Sequence, residues 1–180
     1  TIRGTIGRGT TALYNGLYLA MTEMVRSRRT MKDVRRQAIV VLSDGQDTSS
    51  LVQYDDVMAL ARESGIVLYT ITLVSRFEAR QLSSTPSKAF SQPQFLMRSF
   101  AQDTGGIAFV TQDAHELDGI YGKIATELAQ QYTIGYVSKN SRRDGAFRRI
   151  AVRVIDRPDV LARTRSGYQA PKPRPGSQTR

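Results

Sequence analysis

The feature that most constrains this chain is a run of five apolar residues, Ala38 to Leu42, that stops abruptly at Ser43-Asp44-Gly45. A strand without polar alternation reads as covered on both faces, as strands in the middle of a parallel sheet are. The pattern therefore predicts a central strand. Its last step delivers the Asp44 carboxylate to the carboxyl edge of the sheet, and Gly45 lets the backbone turn sharply there. That edge is where open α/β sheets place their ligands. Asp-Gly is also among the commonest turn signals, so the pair by itself supports a turn as readily as a site.

The rest of the chain alternates in the same manner. Gly7 to Thr11 forms a loop, followed by Leu13, Leu17, Ala20, Met21 and Met24 at helical spacing. After the Asp44 strand and a polar loop, Val57, Leu60 and Ala61 make a second helical stripe. Asp55 and Asp56 stand in its first turn and Gly65 at its end, matching the helix dipole and a left-handed cap. A second buried strand, Ile66 to Val74, leads into an irregular polar segment, Ser75 to Gln92, long enough to be a binding loop at the carboxyl edge. Pro93 opens the next helix, with Leu96 and Phe100 on one side, and a short strand follows at 107–110. Asp113 and Glu116 have the spacing of a capping box, ahead of a stripe of Leu117, Tyr121, Ile124 and Leu128. Alternating strands and helices predict an α/β fold with a mostly parallel sheet flanked by helices and right-handed crossovers. From Gln131 the period changes. Three stretches, 131–138, 147–156 and 160–168, alternate without intervening helices and predict an antiparallel β extension over 132–170. Residues 171–180 lack core-forming side chains and read as a disordered tail.

The 180 residues, 40% of them hydrophobic, suffice for one ordinary domain and an appendage. With no cysteine and a single histidine, His115, the chain has no thiolate chemistry and no His-rich metal site. The longest apolar run, Ile66 to Val74, is too short to span a bilayer, so membrane insertion is not expected. The net charge of +10 is localised: residues 1–138 carry 14 Lys and Arg against 13 Asp and Glu, residues 139–180 carry 12 against 3. A basic run, Arg26 to Arg36, joins the first helix to the Asp44 strand and reads as a solvated connection. Without interleaved aromatics on a reading element, these charges are weak support for nucleic-acid binding.

Read together, the Gly-Thr-Thr-Ala-Leu loop, "VVLSDGQD", "FAQDTGGIAFV" and "QYTIGY…DGAFRRIAVRV…RTRSGYQAP" resemble the von Willebrand factor type A (VWA) domain of a bacterial branch with a C-terminal extension. The likeness runs from Gly7 to about Pro171. It implies a Rossmann-like sheet carrying a metal-ion-dependent adhesion site at its carboxyl edge, with residues 1–131 as a partial domain of this type. The family's site uses an Asp-x-Ser-x-Ser loop, a Thr and an Asp. By resemblance the Thr corresponds to Thr11, with Thr10 one position away, and the Asp to Asp44. Both are hard oxygen donors, suited to Mg²⁺, Mn²⁺ or Ca²⁺. Either threonine could instead serve as a helix N-cap.

The Asp-x-Ser-x-Ser loop is absent from the chain; Asp47 to Leu51, "DTSSL", comes closest but lacks the second Ser. The resemblance places that loop upstream of Thr1. Without the strand that carries it, the Asp44 strand would have an apolar edge open to oligomerisation, and the cation would bind no tighter than about millimolar. The expected function is a binding module that captures an acidic group of a protein partner through the cation, in an extracellular or periplasmic setting, without catalysis. The alternatives are a metal-dependent hydrolase using the same ion, and nucleic-acid binding by the basic extension. His115, in a helix's first turn, reads as a solvated cap neighbour rather than a base.

Overall fold

A computed structural model describes residues 9–28, 37–75, 91–157 and 159–172. The first helix, α1 (Leu13–Arg28), buries Leu17 and Met21 with Leu13 and Met24 packed beside them, the stripe expected from its spacing. β1 (Ala38–Ser43), α2 (Tyr54–Ser64), β2 (Val67–Leu73), α3 (Gln92–Thr104) and β3 (Ala108–Thr111) follow, then a 3₁₀ turn (Ala114–Glu116) and α4 (Leu117–Ala129). The three strands form a parallel sheet in the order β1-β2-β3, with Ala38 opposite Val67 and Thr70 opposite Ala108. A helix carries each crossover, as parallel neighbours require. The expected α/β architecture, a parallel sheet flanked by helices with a separate antiparallel sheet, is present.

Both faces of the sheet are covered. On one, Val41 and Leu68 pack with Leu17, Met21, Val57, Met97 and Phe100 from α1, α2 and α3. On the other, Tyr69 and Ile71 pack with Ile120 and Ile124 of α4. α2 ends as its sequence requires, with Gly65 at φ 67° in the left-handed cap. None of the described helices is long and apolar enough to cross a membrane.

Four expectations change. The strand buried on both faces is β2, whose Leu68 to Thr72 are all buried. Among the described residues β1 pairs only with β2, and its Val40 and Leu42 are 37% and 47% exposed. The single helix on that face, α4, reaches Tyr69 and Ile71, and β1 shows the open apolar edge expected of the Asp44 strand when no upstream strand lies beside it. In α4 the inward residue is Ile120 rather than Tyr121, which is 44% exposed. The capping box does not close: Asp113 accepts the His115 N–H, but its own N–H goes to Thr111 Oγ1, and the Glu116 carboxylate accepts from the Thr111 hydroxyl.

The fourth change concerns the extension. Of the three expected segments, only β4 (Phe147–Arg149) and β5 (Gly167–Gln169) form strands, paired antiparallel with Arg148 opposite Tyr168; residues 131–138 form none. Tyr132, Ile134 and Val137 in that stretch are exposed, so its alternation finds no apolar face to pack on. The later part of the extension is tied to the domain by specific contacts. Ser166 N–H donates to the Asp103 carbonyl at 3.0 Å and Arg163 Nε to the Gly105 carbonyl at 3.0 Å. Arg163 also pairs with Glu127, and the Arg62 guanidinium lies 5.6 Å from the centre of the Phe147 ring. Residues 103, 105 and 127 lie at the ends of α3 and α4 on the amino side of the sheet, so the basic extension sits opposite Asp44. Most of the Ser75–Gln92 loop, the bulk of the tail and most of the Arg26–Arg36 run lie outside the described residues. Arg28, within them, is no free surface charge: it donates to Gln37 Oε1 and to the Ser64 carbonyl, both at 2.9 Å, joining the ends of α1 and α2.

Candidate functional site at the carboxyl edge

β1 ends at Ser43, and the chain from there is organised by its own short side chains. Ser43 Oγ accepts the Gly45 N–H at 3.1 Å, and Asp44 Oδ1 accepts the Gln46 N–H at 3.0 Å, the local turns that such residues favour. Gly45 takes φ 82°, and a Cβ there would stand 2.8 Å from the Pro93 carbonyl oxygen at the start of α3. Only glycine lets the chain turn this close to α3. The turn presents Asp44 as an exposed carboxylate at the edge of the sheet, with Gly45 buried behind it.

Thr11 comes to the same edge through the next stretch of that loop. Its N–H donates to Thr48 Oγ1 at 2.8 Å, while its carbonyl accepts the N–H groups of Thr48, at 2.8 Å, and Ser49, at 3.2 Å. The structure thus joins the Thr11 loop, through Thr48 and Ser49, to the loop that begins at Asp44. Thr11 is exposed, and among the described residues its hydroxyl has no hydrogen-bond partner. Neither Thr10 nor Thr11 caps α1. The first free amides of that helix are taken from across the fold, by Asp47 Oδ2 on Tyr14 N–H at 2.8 Å and Ser50 Oγ on Asn15 N–H at 3.0 Å.

In the sequence "DTSSL" stands out only as an incomplete Asp-x-Ser-x-Ser loop, and the part Asp47 and Ser50 play at α1 was missed, because nothing local to that stretch points to a helix start more than thirty residues upstream. Burial works to raise the Asp47 pKa, but hydrogen bonds from the Ser50 hydroxyl and from backbone N–H groups of Tyr14 and Ser50 outweigh it and hold the carboxyl below its ordinary range. The Tyr14 pKa is raised by burial and by the neighbouring Asp47 charge.

Thr11 and Asp44 together offer one hydroxyl and one carboxylate, the hard-oxygen chemistry that Mg²⁺, Mn²⁺ or Ca²⁺ prefers. Among the described residues no group of three or more His, Cys, Asp or Glu side chains converges to hold a metal. The donor type fits a hard cation, and the donor number makes such a site sparse.

Residues 2–123 match the von Willebrand factor type A domain, and the chain belongs to that family. Its fold resembles solved structures. One is an uncharacterised membrane spanning protein from Vibrio fischeri, with 24% identity, a TM-score of 0.40, and 70% of this chain aligned to 62% of that one. Another is the conserved hypothetical protein BatB from Bacteroides thetaiotaomicron, with 15% identity, a TM-score of 0.45, and 70% of this chain aligned to 63% of that one. The chain therefore spans less than two thirds of either. No curated protein matches the sequence.

Proposed function

We propose that this domain is a protein-interaction module whose carboxyl edge uses a divalent cation, held by Thr11 and Asp44, to capture an acidic group on a protein partner. Family membership supports the interaction role. The observation that supports the finer reading is the hydrogen bonding of the Thr11 N–H and carbonyl to Thr48 and Ser49, which ties the Thr11 segment to the loop that begins at Asp44. The cation, when bound, supplies the positive charge that attracts a carboxylate. The chain's own part is to hold two hard oxygens on short, hydrogen-bonded loops and to leave the remaining coordination positions to water and the partner. No catalysis is assigned to this edge; His115 is exposed, in the 3₁₀ turn before α4.

Two protein ligands make for weak binding, with dissociation constants on the order of millimolar. Manganese titration of the full chain by calorimetry or electron paramagnetic resonance tests the reading. Asp44→Ala should abolish binding, and Thr11→Ala should weaken it while the domain stays folded. Undiminished Mn²⁺ affinity in Asp44→Ala would make Asp44 a turn residue and remove the cation from the proposal.

A further inference from the structure

We propose that Asp47, acting with Ser50 and Asn15, is a positioning residue that clamps the Thr11 loop onto the Asp44 loop and so sets the spacing of the two candidate ligands. The inference rests on the cation-binding reading and deepens it. It begins from an unusual helix start. A helix leaves its first N–H groups unpaired, and a Ser, Thr, Asp or Asn at the N-cap ordinarily accepts from the second or third of them. Here the residue before α1 is Ala12, which has nothing to offer. The missing acceptors come from residues more than thirty positions downstream: Asp47 Oδ2 for Tyr14 and Ser50 Oγ for Asn15.

The lock is reciprocal. Asn15 Oδ1 accepts the N–H groups of Leu51, at 3.1 Å, and Val52, at 3.0 Å, so α1 organises the loop that caps it. Thr11 and Thr48 complete the seam: the Thr48 N–H donates to the Thr11 carbonyl and the Thr11 N–H to Thr48 Oγ1. On its other side the first turn of α1 is fixed by rings: Tyr14 lies 6.1 Å from Tyr54 and 6.2 Å from Phe100. The turn that follows Thr11 is thereby held between the core and the Asp44 loop.

The two carboxylates of this loop have divided the work. Asp47 is spent inside the protein: Oδ2 accepts from Tyr14 N–H and, at 2.5 Å, from the Ser50 hydroxyl, while Oδ1 accepts the Ser50 N–H at 3.0 Å. A negative charge there also faces the positive end of the α1 dipole. Asp44 accepts one local N–H, from Gln46, and faces solvent. Asp44 is placed to meet a ligand and Asp47 to hold the frame. Loss of a residue that orients metal ligands costs roughly 10 to 100-fold in metal affinity.

The test uses the full chain with Mn²⁺ as the probe and includes a metal-free measurement. Asp47→Ala should weaken Mn²⁺ binding about ten-fold with Thr11 and Asp44 intact, and without metal should speed hydrogen exchange at the Tyr14, Asn15 and Thr48 amides. Asp47→Asn keeps one of the two oxygen acceptors, loses the charge and sets an NH₂ donor against either the Tyr14 or the Ser50 N–H, so it should recover only part of the affinity and protection. Mn²⁺ binding as weak as in Asp47→Ala with amide protection equal to that of the unmodified chain would show that the charge and not the clamp matters, and the proposal falls. Asn15→Ala, which removes the reciprocal half while leaving every carboxylate, should weaken binding in the same direction, and stands in should Asp47→Ala fail to fold. Unchanged Mn²⁺ affinity in Asp47→Ala, alongside lost affinity in Asp44→Ala, overturns the clamp and leaves the cation reading standing. If the unmodified chain binds no Mn²⁺, or Asp44→Ala binds it as well, the cation reading fails and the positioning role falls with it. Unchanged amide exchange in both Asp47→Ala and Asn15→Ala would overturn the clamp regardless of metal.

Discussion

Asp44 and Asp47 lie in one loop and are the same residue type, yet their surroundings give them opposite tasks. The hydrogen bonds that hold the Asp47 carboxyl below its ordinary pKa make the charged form part of the folded structure. A carboxyl whose folded pKa is depressed adds stability above its unfolded value of about 4 and loses it as pH falls through the folded value. Asp47→Asn, like the protonated carboxyl, keeps one unprotonated oxygen acceptor, and it does not titrate. The stability advantage of the unmodified chain over Asp47→Asn should therefore hold from about pH 7 to about pH 5 and close below about pH 4. Thermal unfolding of both proteins across that range is the measurement; an equal difference at its two ends would mean that Asp47 does not bind its hydrogen-bond partners as a carboxylate.

Among the elements, α4 shows how packing and polar satisfaction work together. Ile120 and Ile124 press onto Tyr69 and Ile71, but Tyr69 also carries a hydroxyl that burial in this layer cannot leave unpaired. It donates to Glu127 Oε1 at 2.7 Å and accepts from Gln131 Nε2 at 3.0 Å, and burial followed by the Glu127 contact pushes its pKa up. Glu127 in turn holds Arg163 of the C-terminal segment. Tyr69→Phe keeps the ring in the core and removes the hydroxyl from this chain of contacts. We expect a loss of about 0.5–1.5 kcal/mol in urea unfolding with the folded state intact, the ordinary net worth of a hydrogen bond. No change in the unfolding midpoint would show that the hydroxyl contributes nothing net. The helical spacing of α4 announced an apolar stripe, and Leu117, Ile124 and Leu128 joined it, with Ile120 buried in the place expected of its neighbour Tyr121.

At the scale of the whole molecule, the carboxyl edge carries the candidate site and the amino end carries the basic extension. The extension is held by a few directed contacts rather than by a shared core, and several of its arginines are engaged within the protein: Arg148 with Asp144, Arg157 with Asp159, and Arg163 with Glu127 and Gly105. Exposed pairs of this kind contribute little to global stability, roughly 0–1 kcal/mol each. Arg163→Ala should therefore leave the unfolding midpoint of the parallel sheet nearly unchanged while making the segment from about 131 onward more susceptible to limited trypsin digestion. Equal digestion of the two proteins would show that other contacts hold the extension in place.

Periodicity and local chemistry were enough to read the order of strands and helices, the full burial of β2, the glycine cap of α2 and the delivery of Asp44 to a strand end, because each depends on residues within one or two turns of one another. The capping of α1 by Asp47 and Ser50 instead of by its own threonines, and the seating of the extension at the amino end, were decided only in three dimensions. They rest on contacts between residues as far apart as Tyr14 and Asp47, 33 positions, or Asp103 and Ser166, 63 positions, and no local pattern in the chain encodes which distant acceptor a free N–H will find.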